Sequence, residues 1–166
     1  MWRSRCGDKR IEKKRSRNMN VVNMKKLTCA VVLIDKEGSI LGCHSYGKKE
    51  NTGYDFPKGC KEGEKDIDAA CRELYEETNI TLTEEDKKAL IDLGIHKHNK
   101  EKNIHIFLLK VEEFPDMSLL KCNSFFERHG KEFPEVDGWR VIKKDERNQF
   151  NDVLQNKFKI IDENNV

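Results

Sequence analysis

At 166 residues the chain has room for one domain with a proper core. Its 32 basic and 30 acidic residues nearly cancel, so overall charge selects no particular partner, and no run of 18 or more apolar residues is available to cross a membrane. The charge is uneven along the chain: residues 1–19 carry eight Lys or Arg against Asp8 and Glu12, a net of +6, which leaves −4 for the remainder.

Residues 1–24 read as a basic, disordered tail ahead of a domain at 25–166, or as residues preceding a later start at Met19 or Met24. The sharper alternative is a phosphate-attracting arm for RNA. The basic start has no apolar run of a signal peptide, so the expected location is the cytoplasm. Cysteines at 6, 29, 43, 60, 71 and 122 lack the paired CxxC spacing of zinc sites and read as free, mostly buried thiols.

Leu27 to Ile34 (LTCAVVLI) is β-branched and apolar without a breaker, the pattern of a strand buried on both faces. DKEGS is a turn, and Ile40 to Tyr46 returns as a second strand of a hairpin. After a polar loop, YDFPKG (54–59) carries an aromatic into a Pro-Lys-Gly turn. A helix is predicted over Asp66 to Thr78, with Ile67, Ala70, Cys71 and Leu74 facing the core and Asn79 at its left-handed exit. Thr83 to Asp86 resembles a cap before a short helical turn. Leu90 to His98 and Ile104 to Val111 then form a second hairpin around HNKEKN, with His96 and His98 on one strand face. Phe114 to Glu132 reads as long and irregular, Trp139 to Ile142 as a short strand, and Asp145 to Asp162 as one closing helix. Mixed strands with two main helices argue for a single layered α/β domain.

The predicted first helix carries Arg72, Glu73, Glu76 and Glu77. The three acids fall on a stripe away from the apolar face, where like charges at this spacing repel by a few tenths of a kcal/mol each. Acids on a helix usually mark a solvated face. RExxEE alone would arise by chance in roughly one such chain in twenty, but with Glu64 eight residues before Arg72 and the Pro57-Lys58-Gly59 turn the figure drops well below about one in a thousand. Mg²⁺ wants oxygen ligands and keeps several waters, so neighbouring helical carboxylates plus a loop carbonyl suit a cation held against phosphates.

On these residues the chain resembles the Nudix hydrolases, whose signature runs Gly, five residues, Glu, seven residues, Arg-Glu-apolar-x-Glu-Glu-x-Gly-apolar. Glu64, Arg72, Glu73, Leu74, Glu76, Glu77 and Ile80 fit. Asn79 replaces Gly, and only CKEG, four residues, separates Gly59 from Glu64. The resemblance implies an α/β/α sandwich with a mixed β-sheet and Mg²⁺ as cofactor, with Mn²⁺ as substitute. It implies metal ligation by Glu73, Glu76, Glu77 and the Gly59 carbonyl, with Glu73 as ligand or base, Arg72 orienting the acids and Glu64 supporting them.

PEVDGWR (134–140) is similar to a stretch of RNA pyrophosphohydrolases and dinucleoside polyphosphate hydrolases, in which its Glu, here Glu135, joins the metal site; FPKG also occurs in mRNA-decapping members. Lys58, Lys100 and Lys102 could supply point charges for phosphate and Tyr54 could stack a base, with solvated loops and core packing as the plainer readings. The expected substrate is a nucleotide or an RNA 5′ end: triphosphorylated or capped RNA, or a dinucleoside polyphosphate. The alternatives are ADP-ribose, NADH or a diphosphoinositol, or a non-catalytic RNA-binding module. The chain is expected to act as a monomer or homodimer without a membrane partner.

Overall fold

A computed structural model describes residues 25–166; the tail reading falls outside them. Strand β1 (Lys26–Ile34) lies at the centre of a seven-stranded mixed sheet. On one side it runs parallel to β6 (Lys102–Lys110), which pairs antiparallel with β5 (Ile91–Lys97). On its other side it pairs antiparallel with β4 (Lys58–Cys60) and, at Ile34, with β2 (Ile40–Ser45). Beyond β2 come β3 (Tyr54–Asp55) and β9 (Val136–Ile142).

The alternation of β1 builds two cores at once. Ala30, Val32 and Ile34 join one apolar cluster with Ile106, Phe56, Phe150, Leu154, Phe158 and Ile161. Cys29, Val31 and Leu33 join another with Ala70 and Leu74 of α1 (Asp66–Thr78). The fold is therefore the expected α/β/α sandwich, with α1 on one face and the C-terminal segment on the other. Among the described residues no helix is long and apolar enough to cross a membrane.

Local chemistry explains the helix ends. Asn79 adopts a left-handed conformation (φ 70°) and returns its amide to the Tyr75 carbonyl. The short α2 (Glu84–Ala89) starts with a reciprocal capping box between Thr83 and Asp86.

Three sequence expectations are corrected. The closing helix is instead two 3₁₀ turns (Lys144–Gln149 and Asp152–Lys157) and a short α3 (Phe158–Glu163). Phe150 and Asn151 break it by going extended, because the Asn151 amide bonds the Tyr54 carbonyl at 2.9 Å and the segment joins the sheet edge. The irregular 114–132 stretch contains β7 (Phe125–Arg128), which pairs with β8 (Lys131–Pro134) in a hairpin. Its two-residue loop, His129–Gly130, has φ of 53° and 76°, the doubly left-handed geometry that suits tight hairpins. Finally, Cys29, Cys43, Cys71 and Cys122 are free thiols, but Cys60 is disulfide-bonded, and its partner is not among the described residues.

Candidate active site

Strand β4 positions the site. Gly59 pairs with Cys29 and so shares the face that α1 covers. A methyl group there would stand 2.1 Å from the Glu73 carboxyl group, so only glycine leaves the seat that Glu73 occupies. The four-residue spacing between Gly59 and Glu64 thus still brings this backbone against the helix.

Glu73 and Glu77 consequently lie on the buried side of α1, at 5% and 8% exposure, in line with Ala69, Ala70, Leu74 and Thr78. This corrects the expectation of an acid stripe set apart from the packed face: residues 73, 74, 77 and 78 form a single buried strip, half acid and half packing. Ile67 and Cys71, expected to face the core, are only partly buried against it.

Arg72 gathers the acids. Its Nε donates to Glu64 at 2.8 Å, and Nη1 donates to Glu73 at 2.6 Å and Glu76 at 2.8 Å. Nη2 donates to the Cys60 carbonyl at 2.9 Å, which ties the helix to the strand carrying Gly59. Glu62 adds a fourth carboxylate at 3.2 Å, a participant that sequence reasoning missed although it stands two residues from Glu64. Such forked, charge-assisted bonds are what a planar guanidinium can make and an ammonium cannot.

Glu77 is handled differently. One carboxyl oxygen accepts the Lys58 amide at 3.3 Å. Burial pushes its pKa well above the ordinary 4.5, Lys58 opposes that shift, and Glu73, Glu135 and Asp55 add to it. The Glu135 backbone is held on both sides: its carbonyl accepts the Tyr46 amide at 3.1 Å and its amide donates to the Ser124 carbonyl at 2.9 Å. Burial would lower the Lys58 pKa, but Asp55 and Glu77 outweigh it and the net shift is upward. The Lys58–Asp55 pair spans 3.1 Å; Asp55 is another residue that the sequence analysis left out. The Trp139 indole donates to the Glu77 carbonyl at 2.8 Å, so it both packs and fixes the last turn of α1.

Other candidates stand elsewhere. Lys100 is in an exposed bend and Lys102 begins β6. The Tyr54 ring packs on the C-terminal core and edge-on to His44. Among the described residues no three His, Cys, Asp or Glu side chains converge as a ready ligand group. Arg72 draws Glu73 and Glu76 to itself, and Glu77 turns to the Lys58 amide. The donor chemistry nevertheless suits a hard divalent cation: carboxylate oxygens next to a backbone shaped by Gly59, with one buried acid whose pKa burial raises.

Comparison with known proteins gives a family match and several likenesses of fold. The family model described as NUDIX domain matches residues 24–162. No curated protein sequence matches. A bifunctional NMN adenylyltransferase/ADP ribose pyrophosphatase from Francisella tularensis, complexed with AMP and a Mn ion, is 19% identical with a TM-score of 0.58. That alignment covers 96% of this chain and 47% of the other, so the chain spans about half of that protein's length. A C. elegans Ap4A hydrolase is 17% identical over 83% of this chain and 96% of its own, with a TM-score of 0.54. The NUDIX domain of Shewanella oneidensis NrtR, complexed with ADP ribose, is 12% identical over 92% and 96%, with a TM-score of 0.61. At these identities the likenesses establish the fold alone.

Proposed function

The chain belongs to the Nudix family. From that premise we propose that it cleaves a phosphoanhydride bond in a nucleoside diphosphate-linked substrate with Mg²⁺, or Mn²⁺ in its place, in the cytoplasm. The favoured substrates are 5′-triphosphorylated or capped RNA and dinucleoside polyphosphates. Similarity in fold to an Ap4A hydrolase supports the dinucleoside reading, and similarity to a NUDIX domain complexed with ADP ribose keeps ADP-ribose as the second reading.

The observation that carries the proposal is the seating of Glu73 between Gly59 and Arg72, with Glu77 one turn on. Glu73, Glu76, Glu77, Glu135 and the Gly59 carbonyl would hold the ion, which supplies charge screening for the phosphate chain and activation of the attacking water. Glu73 is the candidate to accept a proton from that water, being buried and fixed by Arg72. Arg72 keeps the acids aligned against their own repulsion, and Glu64 holds Arg72. Lys58, on the neighbouring strand, would offset substrate phosphate charge.

The test is phosphate and pyrophosphate release from triphosphate RNA, capped RNA, Ap4A, ADP-ribose, NADH and diphosphoinositols, with and without Mg²⁺. Wild type should act only with the ion, and Glu77→Gln should lose about 100-fold or more in rate while staying folded. Full activity in that variant, or without divalent ions, would refute the proposal.

A further inference from the structure

α1 starts without a side-chain cap, since the extended Lys65 before it makes no capping bond to the first-turn amides. Its first residue is tied down another way. One Asp66 oxygen meets Lys61 Nζ at 2.9 Å, and the other accepts from His105 Nδ1 at 2.6 Å. On the far side of the ring, His105 Nε2 donates to Asp92 of β5 at 2.6 Å. Burial would raise both carboxyl pKa values, but Lys61 and His105 at Asp66, and His105 and the Gly94 amide at Asp92, outweigh it and both are lowered. A carboxylate only accepts, so both ring nitrogens donate, which only the imidazolium can do.

The ring is built into its place. His105 is 9% exposed and stacks on Phe107 with 4.3 Å between centroids. Strand β5 carries one extra residue between Asp92 and Ile95, a bulge in which Gly94 is left-handed (φ 84°) and donates its amide to Asp92 Oδ1 at 2.8 Å. The bulge thus aims Asp92 at the ring. Strand register relates this group to the acids: Gly59, Cys29 and His105 are lateral partners on β4, β1 and β6, on the face that α1 covers. Two strand spacings put His105 about 10 Å from Gly59, and seven residues of helix put Asp66 about 10 Å from Glu73. α1 therefore lies along this row, with Asp66 on His105 at one end and Glu73 on Gly59 at the other.

We propose that His105 is a positioning residue for the hydrolytic site: its charged ring clamps the start of α1 to β5 and thereby holds Glu73 in its seat on Gly59. This inference rests on the hydrolase reading above and names a residue that sets the geometry of that site from outside it. Arg72 ties the acids to one another and to the Cys60 carbonyl at one end of the row. His105 ties the other end, so that the helix has two fixed points and cannot pivot about one. The precision matters because a displacement of about 1 Å at a catalytic group costs about 100-fold in rate.

The test compares kcat and KM at matched folded fraction, and amide hydrogen exchange of the metal-free full chain. His105→Phe keeps the stack on Phe107 and removes both donors, while Asp66 retains Lys61. It should lower kcat by about tenfold or more with KM unchanged, and speed exchange of the α1 amides by at least about tenfold. Asp92→Ala separates a clamp from simple packing, because the Asp92 side chain is 58% exposed and meets α1 through the ring. It should reproduce both effects, Asp92→Asn, which keeps the acceptor oxygen, should behave as wild type, and the double variant His105→Phe/Asp92→Ala should be no worse than either single one. Wild-type kcat in Asp92→Ala, additive losses in the double variant, or unchanged α1 exchange would each overturn the clamp. Should the wild-type chain hydrolyse none of the substrates screened above, the hydrolase reading falls, and α1 exchange in the same variants alone decides whether the clamp exists.

Discussion

The two layers that cover the sheet are built differently. The α1 layer is one continuous 13-residue helix that buries two carboxylates with its Ala and Leu. The C-terminal layer is three short pieces closed by Phe56, Phe150 and Phe158 in mutual ring contact. Strand β4 shows how one segment serves both: alternation sends the Gly59 side to the acids and the Lys58 side to the aromatic layer. Repelling charges held in register are carried on one continuous helix, whereas the C-terminal layer follows the sheet edge.

A matched pair of glycine substitutions would sharpen this contrast most. Gly59→Ala drives a methyl group into the Glu73 carboxyl, which Arg72 and burial prevent from yielding. Hydrolysis should fall by about 100-fold or more, since small misplacements of a catalytic group cost that much. Gly42→Ala instead meets Ile142 at 2.7 Å and Tyr54 at 3.0 Å, both on the aromatic side. It should lower stability by about 1–3 kcal/mol through overpacking and leave the rate per folded molecule unchanged. Equal loss of rate in the two variants, measured at matched folded fraction, would break the division of labour.

The α1 layer was legible because its signals are local. The spacing of Arg72, Glu73, Glu76 and Glu77, the Asn79 exit and the Thr83 cap all act within one or two turns. What was not legible came from contacts distant in sequence. That Glu73 is buried depends on a glycine fourteen residues earlier, and Lys58 and Asp55 join through strand pairing. The closing segment kept its helical spacing at Phe150, Leu154 and Phe158, but the Tyr54 carbonyl, nearly a hundred residues away, captured the Asn151 amide and ended the helix. The β7–β8 hairpin had a local sign, His129-Gly130 between aromatic residues, weaker than an Asn-Gly turn.

Next in size is the aromatic closure. Phe150 is 2% exposed, with ring centroids 5.4 Å from Phe56 and 5.5 Å from Phe158. Phe150→Ala should cost about 3–5 kcal/mol in chemical denaturation, the range for emptying a buried ring site. Below its melting point the variant should keep wild-type binding of divalent ion at the α1 face. Weakened ion binding in the folded variant would mean that the two layers are coupled through β4.

The smallest effect, and the one that separates the layers by sign, is the response to pH. Burial raises the Glu77 pKa in the folded chain above its ordinary 4.5, so the folded state keeps a proton that the unfolded state gives up. Stability from this group is greatest below 4.5 and declines as pH rises toward the folded value. In the C-terminal layer Asp162 accepts two bonds from the Arg147 guanidinium, at 2.7 and 2.8 Å, and its pKa is depressed below the ordinary 3.8. Its contribution is present above 3.8 and is lost as pH falls through the folded value. Melting temperatures of the metal-free chain across pH should therefore lose their high-pH decline in Glu77→Gln and part of their acid decline in Asp162→Asn. Because the two groups belong to different layers and share no partner, the double variant should show the sum of both changes. A departure from additivity would mean that charge on one face of the sheet is felt on the other, most directly through Lys58, which faces the C-terminal layer yet acts on Glu77.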